Sequence, residues 1–165
     1  MLLKDELQKS TLVFLLGFMC CGKTTIGKQL AAMYGYDFAD TDELIEEQCS
    51  KTISEIFNTE GEEKFRKYER EILHSLLLRK NLVVACGGGL PCFFDNMERM
   101  NACGVTVYLK ADAALLAQRI EKENNLRRPL LDGKTGLELR QYIELLLSER
   151  ENYYQQAQII RNITE

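Results

Sequence analysis

Thr11 to Leu16 is a short apolar run that stops at a glycine, and the eight residues that follow are Gly17-Phe18-Met19-Cys20-Cys21-Gly22-Lys23-Thr24. An apolar run without polar alternation fits a strand buried on both faces. The eight-residue segment satisfies G-x-x-x-x-G-K-S/T at every fixed position. Lys23 to Tyr34 then reads as a helix, with Ile26, Leu30 and Met33 on one side and Gly35 at its end. A strand, a glycine-bounded turn and a helix in this order aim the first backbone N–H groups of the helix at one spot. The helix dipole favours negative charge at that spot, so the segment is built for phosphate. In this pattern Lys23 reaches the β- and γ-phosphates of ATP, and the Thr24 hydroxyl ligates one Mg²⁺ carried with the nucleotide. Cys20, Cys21, Gly22 and Thr25 belong to the same nucleotide-binding stretch. A thiol at a helix N-terminus can have a lowered pKa, which marks Cys20 and Cys21 as reactive.

The rest of the chain alternates. Asp37 to Asp40 is a brief second strand. Three helices follow: Glu43 to Cys49, a short one opened by Thr52 and Glu55 as a capping box, and a long one to about Arg79 opened by the same pattern in Thr59 and Glu62. Leu82 to Cys86 is a third strand, ending in Gly87, Gly88 and Gly89. A helix over Phe93 to Ala102 leads to a fourth strand, Val105 to Leu109. Asp112 caps a helix from Ala113 to about Glu123. Asn124 to Thr135 is polar, basic and aperiodic, and reads as a mobile loop. Gly136 to Ala157 is a long last helix and Ile159 to Ile163 a fifth strand. Strands alternating with helices give a three-layer α/β domain over residues 1–165, with a parallel, five-stranded sheet.

Composition narrows the partners. The chain carries 25 Asp+Glu against 21 Lys+Arg, a net charge of −4, so the basic excess of a nucleic-acid binder is missing. The longest apolar run, Leu12 to Cys21, has ten residues. That is half of the ~20 a membrane-spanning helix needs. Six cysteines without a C-x-x-C pair fit free thiols in a reducing cytoplasm rather than a zinc site.

Two further groups sit where open α/β sheets bind ligands, beyond the carboxyl ends of strands. Asp40-Thr41-Asp42 offers two carboxylates, for metal-bound water and for an acceptor hydroxyl. Asp42 as a plain helix N-cap is the competing reading. Gly87-Gly88-Gly89 allows a ligand close to the backbone, or simply turns the chain. Read alone, Arg66 fits a solvated helix face among Glu62, Glu63, Lys64 and Lys67. Arg150 alone fits an i,i+4 partner of an acid, and Arg128 a loop charge. His74, on the apolar side of the long helix, reads as structural, and Tyr153 and Tyr154 as packing residues.

Taken together, the phosphate loop, Asp40-Thr41-Asp42, Phe65-Arg66 with Glu69, the triple glycine, Arg128-Pro129-Leu130-Leu131, and Arg150 with Tyr154 form an ordered set. The chain resembles shikimate kinase, a small P-loop kinase family, along essentially its whole length. The resemblance implies transfer of the γ-phosphoryl of ATP to the 3-hydroxyl of shikimate. It implies that Lys23 and its loop hold the phosphates, Thr24 the Mg²⁺, and Asp40 the metal through water. Asp42 would hold the acceptor hydroxyls, and helices over about 42–79 would form the substrate side. Arg66 and Arg150 would clamp the substrate carboxylate, with Gly88 offering a backbone N–H and Gly87 and Gly89 completing the substrate-binding stretch. Arg128 would close on ATP from a lid over about 124–135, and Arg119 would lie near the adenine. A monomer is expected, with ATP and shikimate as its partners and no nucleic acid or membrane.

Three features depart from the family. Cys20 stands where it usually has glycine. Ala85 and Cys86 replace a hydroxyl that often precedes the triple glycine. The family usually continues, beyond the position of Glu165, into an adenine-contacting loop and a helix. The rival readings are a P-loop kinase for gluconate or a nucleoside monophosphate, and a non-catalytic nucleotide-binding module.

Overall fold

The computed structural model describes residues 11–122, 131 and 133–164. The expected architecture is present. Strands β1 (Leu12–Leu16), β2 (Asp37–Asp40), β3 (Leu82–Ala85), β4 (Val105–Lys110) and β5 (Ile159–Asn162) form one sheet in the order β2-β3-β1-β4-β5. Every pairing is parallel. Helices α1 (Lys23–Tyr34), α2 (Thr41–Cys49), α3 (Ile53–Glu60), α4 (Glu62–Leu76), α5 (Asn96–Cys103), α6 (Ala113–Lys122) and α7 (Gly136–Tyr154) cover both faces.

The period of two along β1 sorts the core. Val13 and Leu15 face a cluster with Ala31 of α1, Leu116 and Ile120 of α6, and Leu139 and Ile143 of α7. Leu12, Phe14 and Leu16 face the opposite cluster, with Ile45 of α2, Phe65 and Leu73 of α4, and Met97 and Met100 of α5. Each fully buried aliphatic or aromatic side chain contributes roughly 1.5–3 kcal/mol. The central strand therefore needs no polar residue, and has none.

Local chemistry accounts for the differences from the sequence reading. On α1 the buried residues are Gly27 and Ala31, while Met33 is 68% exposed. The helix lies so close to β2 that a Cβ at Gly27 would come within 2.6 Å of the Phe38 ring. Small residues, not the larger Met33, make that contact.

The capping box of Thr52 and Glu55 forms in full. The one expected from Thr59 and Glu62 does not. Thr59 lies in the last turn of α3, where its hydroxyl donates to the Glu55 carbonyl at 2.7 Å. Gly61, at φ +82°, makes the turn into α4 instead. The long helix ends at Leu76 rather than near Arg79. Gly89 leads into a 3-10 turn, Leu90–Cys92, so the next helix starts at Asn96 instead of Phe93. The last helix stops at Tyr154 instead of Ala157. Tyr154 packs with no exposure, whereas Tyr153 is 38% exposed. His74 is half-buried, with Nε2 lacking a hydrogen-bond partner among the described residues.

Candidate active site

The described site residues gather beyond the carboxyl ends of β1, β2 and β3. β1 delivers the phosphate loop. Gly17, at φ +139°, is a position for glycine alone: a Cβ would lie 2.7 Å from the Leu109 carbonyl oxygen and 2.8 Å from Cys21 Sγ. Lys23 bends back over the loop. Its Nζ donates to the carbonyls of Gly17 at 2.9 Å and Phe18 at 2.7 Å. Cys20 adopts φ +60°, the left-handed conformation that glycine favours. A side chain there costs about 1–2 kcal/mol, so the departure from glycine leaves the loop shape in place under strain. Arg119 reaches from α6 and donates to the Cys20 carbonyl at 3.2 Å. Cys21 has no exposure, so of the two expected reactive thiols only Cys20 is open to reagent.

β2 delivers the acids. Asp40, not Asp42, caps α2: its Oδ1 accepts from the Asp42 N–H at 3.0 Å. The other carboxylate oxygen accepts from the Thr24 hydroxyl at 2.8 Å. That bond joins the first turn of α1 to β2, and leaves the Asp42 side chain on the first turn of α2, facing Gly87.

β3 delivers the triple glycine, and each glycine makes room for polar side chains. A Cβ on Gly87 would lie 2.5 Å from Asp42 Oδ1 and 3.0 Å from Glu69 Oε1. On Gly88 it would lie 3.3 Å from Arg150 Nη1, and on Gly89 it would collide with the Arg66 guanidinium. Close approach, rather than a simple turn, explains the three residues.

Arg66 is only 5% exposed. The solvated-face reading fails because α4 turns Phe65, Arg66 and Glu69 inward together. The guanidinium donates to Glu69 at 2.8 Å and to Glu62 at 2.7 Å and 3.2 Å, and stacks over the Phe93 ring at 4.2 Å. Arg150 is 8% exposed, sits over the Phe18 ring at 5.6 Å, and its charge pulls on the Glu69 carboxyl through space. Its position follows from periodicity. Leu139, Ile143, Leu146, Arg150 and Tyr154 share the buried face of α7. The face that is core at one end carries polar groups into the site at the other.

Two adjoining cavities result. One, of about 410 Å³, is lined by Arg66, Glu69, Gly88, Gly89, Arg150 and the acids. The other, of about 510 Å³, runs along the phosphate loop from Cys20 to Ile26 and includes Thr25, Gly87 and Arg119. They share a wall of Met19, Thr24, Asp40, Asp42 and Gly88. Arg128 and most of the expected lid, residues 124–130 and 132, lie outside the described residues. Leu131, at the end of that motif, is fully buried.

Three participants have no role in the sequence reading. The Thr41 hydroxyl accepts from the Gly87 N–H at 2.7 Å. Phe93 stacks on Arg66. Glu69, 1% exposed, stands between Arg66 and Asp42. Glu69 stands out beside Arg66 in the sequence without a role, and the i,i+3 spacing is the signal for their pairing.

Burial pushes the Glu69 carboxyl up to about 7, against the pull of Arg66, and the charge on Asp42 adds to the rise. The unfolded chain releases this proton near 4.5. Between those values the folded state binds more protons, so stability falls as pH rises. The contribution is full below pH 4.5 and is lost as pH passes through 7. At most it amounts to about 3 kcal/mol. Glu69→Gln should flatten that slope in urea unfolding measured from pH 4.5 to 7.5; an unchanged slope would contradict the assignment.

A sheet of order 2-3-1-4-5 with a G-x-x-x-x-G-K-S/T loop at its centre, opening on a second cavity lined by two buried arginines, defines a P-loop small-molecule kinase. Comparisons with known proteins identify the branch. A family model described as Shikimate kinase matches residues 19–165. The shikimate kinase of Parabacteroides distasonis is 48% identical over 89% of this chain and 84% of its own length. The crystal structure of shikimate kinase from Bacteroides thetaiotaomicron superposes with a TM-score of 0.87 at 43% identity, covering 92% of this chain and 86% of that one. That of Acinetobacter baumannii, solved in complex with shikimate, has a TM-score of 0.87 at 34% identity, covering 98% of this chain and 88% of its own. The chain belongs to the shikimate kinase family. A gluconokinase from Sinorhizobium meliloti, at 14% identity and a TM-score of 0.51, shares the fold alone, and the rival readings are not favoured.

Proposed function

We propose that this chain phosphorylates the 3-hydroxyl of shikimate with the γ-phosphoryl of ATP, with the residues above in the roles the family resemblance implies. The observation that carries the reading is the shared wall. Asp42 and Gly88 border both a phosphate-loop cavity and a cavity holding two buried arginines. Two guanidiniums in one small cavity suit a carboxylate, which each can grip through a planar fork.

Phosphoryl transfer is mostly positioning and charge neutralisation. Lys23 and the loop N–H groups hold the phosphates. Releasing its hold on the Gly17 and Phe18 carbonyls frees Nζ for the nucleotide. Arg66 and Arg150 fix the acceptor by its carboxylate, and Asp42 aligns the attacking hydroxyl. Arg128 adds positive charge over the phosphates, and Arg119 borders the adenine.

The Thr24 hydroxyl and the Asp40 carboxylate, hydrogen-bonded at 2.8 Å beside the loop, are hard oxygen donors of the kind Mg²⁺ takes. Thr24 would hold the ion directly and Asp40 through water. When bound, Mg²⁺ neutralises charge on the phosphate oxygens. The six cysteines are all free thiols, which supports a cytoplasmic setting. No helix among the described residues is long and apolar enough to cross a membrane. The test is ADP release from ATP with shikimate, gluconate and AMP offered separately.

A further inference from the structure

The triple glycine is tied down peptide by peptide. The Gly87 carbonyl accepts from the Leu90 N–H at 3.1 Å, and the Gly89 carbonyl from the Cys92 N–H at 2.9 Å. The Gly88 carbonyl accepts from a side chain 66 residues away, the Tyr154 hydroxyl, at 2.5 Å. Among the described residues, the N–H groups of Gly88 and Gly89 donate to no protein group. Both residues line the acceptor cavity.

Tyr154 is well placed to hold that peptide. It has no exposure, and its ring lies 5.0 Å from that of Tyr108. The Tyr108 hydroxyl is itself held by Glu151 at 2.8 Å. Burial raises the Tyr154 phenol above its ordinary range, so it remains a donor at neutral pH. In a trans peptide the C=O and the following N–H point in opposite directions. Anchoring the Gly88 carbonyl on Tyr154 therefore turns the Gly89 N–H away from Tyr154. Gly88 abuts Arg150 and Gly89 abuts Arg66, so this peptide lies between the two guanidiniums.

We propose that Tyr154 is a positioning residue for the acceptor: its hydroxyl holds the Gly88 carbonyl out of the cavity, so that the Gly89 N–H faces the acceptor carboxylate between Arg66 and Arg150. The proposal rests on the function given above. Tyr154→Phe removes the hydroxyl and keeps the ring. The KM for shikimate should rise about tenfold, the effect of one hydrogen bond to a charged group, while the KM for ATP stays unchanged. With an analogue whose carboxylate is replaced by a hydroxymethyl group, the penalty should disappear. A merely structural role would harm both acceptors alike, and that result, or an unchanged KM for shikimate, overturns the proposal. A readout on the unaltered protein covers a variant that fails to fold: the Gly89 amide proton should shift downfield on adding shikimate and not on adding ATP. No shift overturns the proposal as well. If the unaltered protein does not phosphorylate shikimate at all, the functional reading fails first. If it does, an unchanged KM in Tyr154→Phe condemns the positioning role alone.

Discussion

Lys23→Ala should lower turnover by at least about 10²–10³-fold, the usual loss when one preorganised donor to developing charge is removed. The effect has two parts. The ammonium no longer reaches the phosphates, and the loop loses the brace that Nζ gives to the Gly17 and Phe18 carbonyls. The KM for ATP should therefore rise along with the fall in kcat. The fold should persist, because Lys23 contributes to neither apolar cluster. Circular dichroism and a coupled ADP-release assay check both halves. A folded Lys23→Ala protein with near-normal turnover would contradict the phosphate-loop assignment.

Arg66→Lys and Arg150→Lys should each raise the KM for shikimate tenfold or more and leave the KM for ATP nearly unchanged. The charge survives each change and the planar fork does not. Hydrogen bonds to charged groups are worth about 1.5–3 kcal/mol each, and about 1.4 kcal/mol is tenfold. The structure adds a difference between the two. Arg66 makes three hydrogen bonds to Glu62 and Glu69 and stacks on Phe93. Lysine there leaves the buried Glu69 poorly matched, so Arg66→Lys should also lower stability. Arg150 makes no ion pair as close as that of Arg66 among the described residues and acts on Glu69 only through space, so Arg150→Lys should act on binding with less effect on the fold. If both arginines grip one carboxylate, the double variant loses less than the sum of the single losses. Steady-state kinetics against each substrate decides; a rise in the KM for ATP alone would move these arginines to the nucleotide.

The parts legible in the sequence were those fixed by short-range pattern. The phosphate loop declares itself because its glycines, lysine and threonine must stand at set spacings. The buried face of α7, Leu139, Ile143 and Leu146 continuing to Arg150 and Tyr154, follows a helical period that the sequence reading leaves unused, and Arg150 read alone fits a surface ion-pair partner. Local pattern misled wherever a distant partner decided the outcome. Arg66 sits in a run of charges that reads as solvent-facing, yet Phe93 and Gly89 take its guanidinium inside. Thr59 has a capping-box neighbour, but the preceding helix had already claimed its hydroxyl. Met33 has helical spacing with Ile26 and Leu30, but α1 approaches β2 through Gly27. The contacts of Thr41 with Gly87 and of Tyr154 with Gly88 span 46 and 66 residues. No periodicity reports such pairs.

Two buried arginines and a phosphate loop meet across Asp42, an arrangement that should phosphorylate one particular hydroxyl. Product identity tests it most directly. The protein is incubated with ATP, Mg²⁺ and an equal mixture of shikimate, gluconate and AMP, and the products are followed by phosphorus–proton correlation NMR. The expected result is one new phosphate ester, coupled to the proton on carbon 3 of shikimate, with ADP formed in equal amount. Phosphate on gluconate or AMP, on another shikimate hydroxyl, or ADP released without any ester, would contradict it.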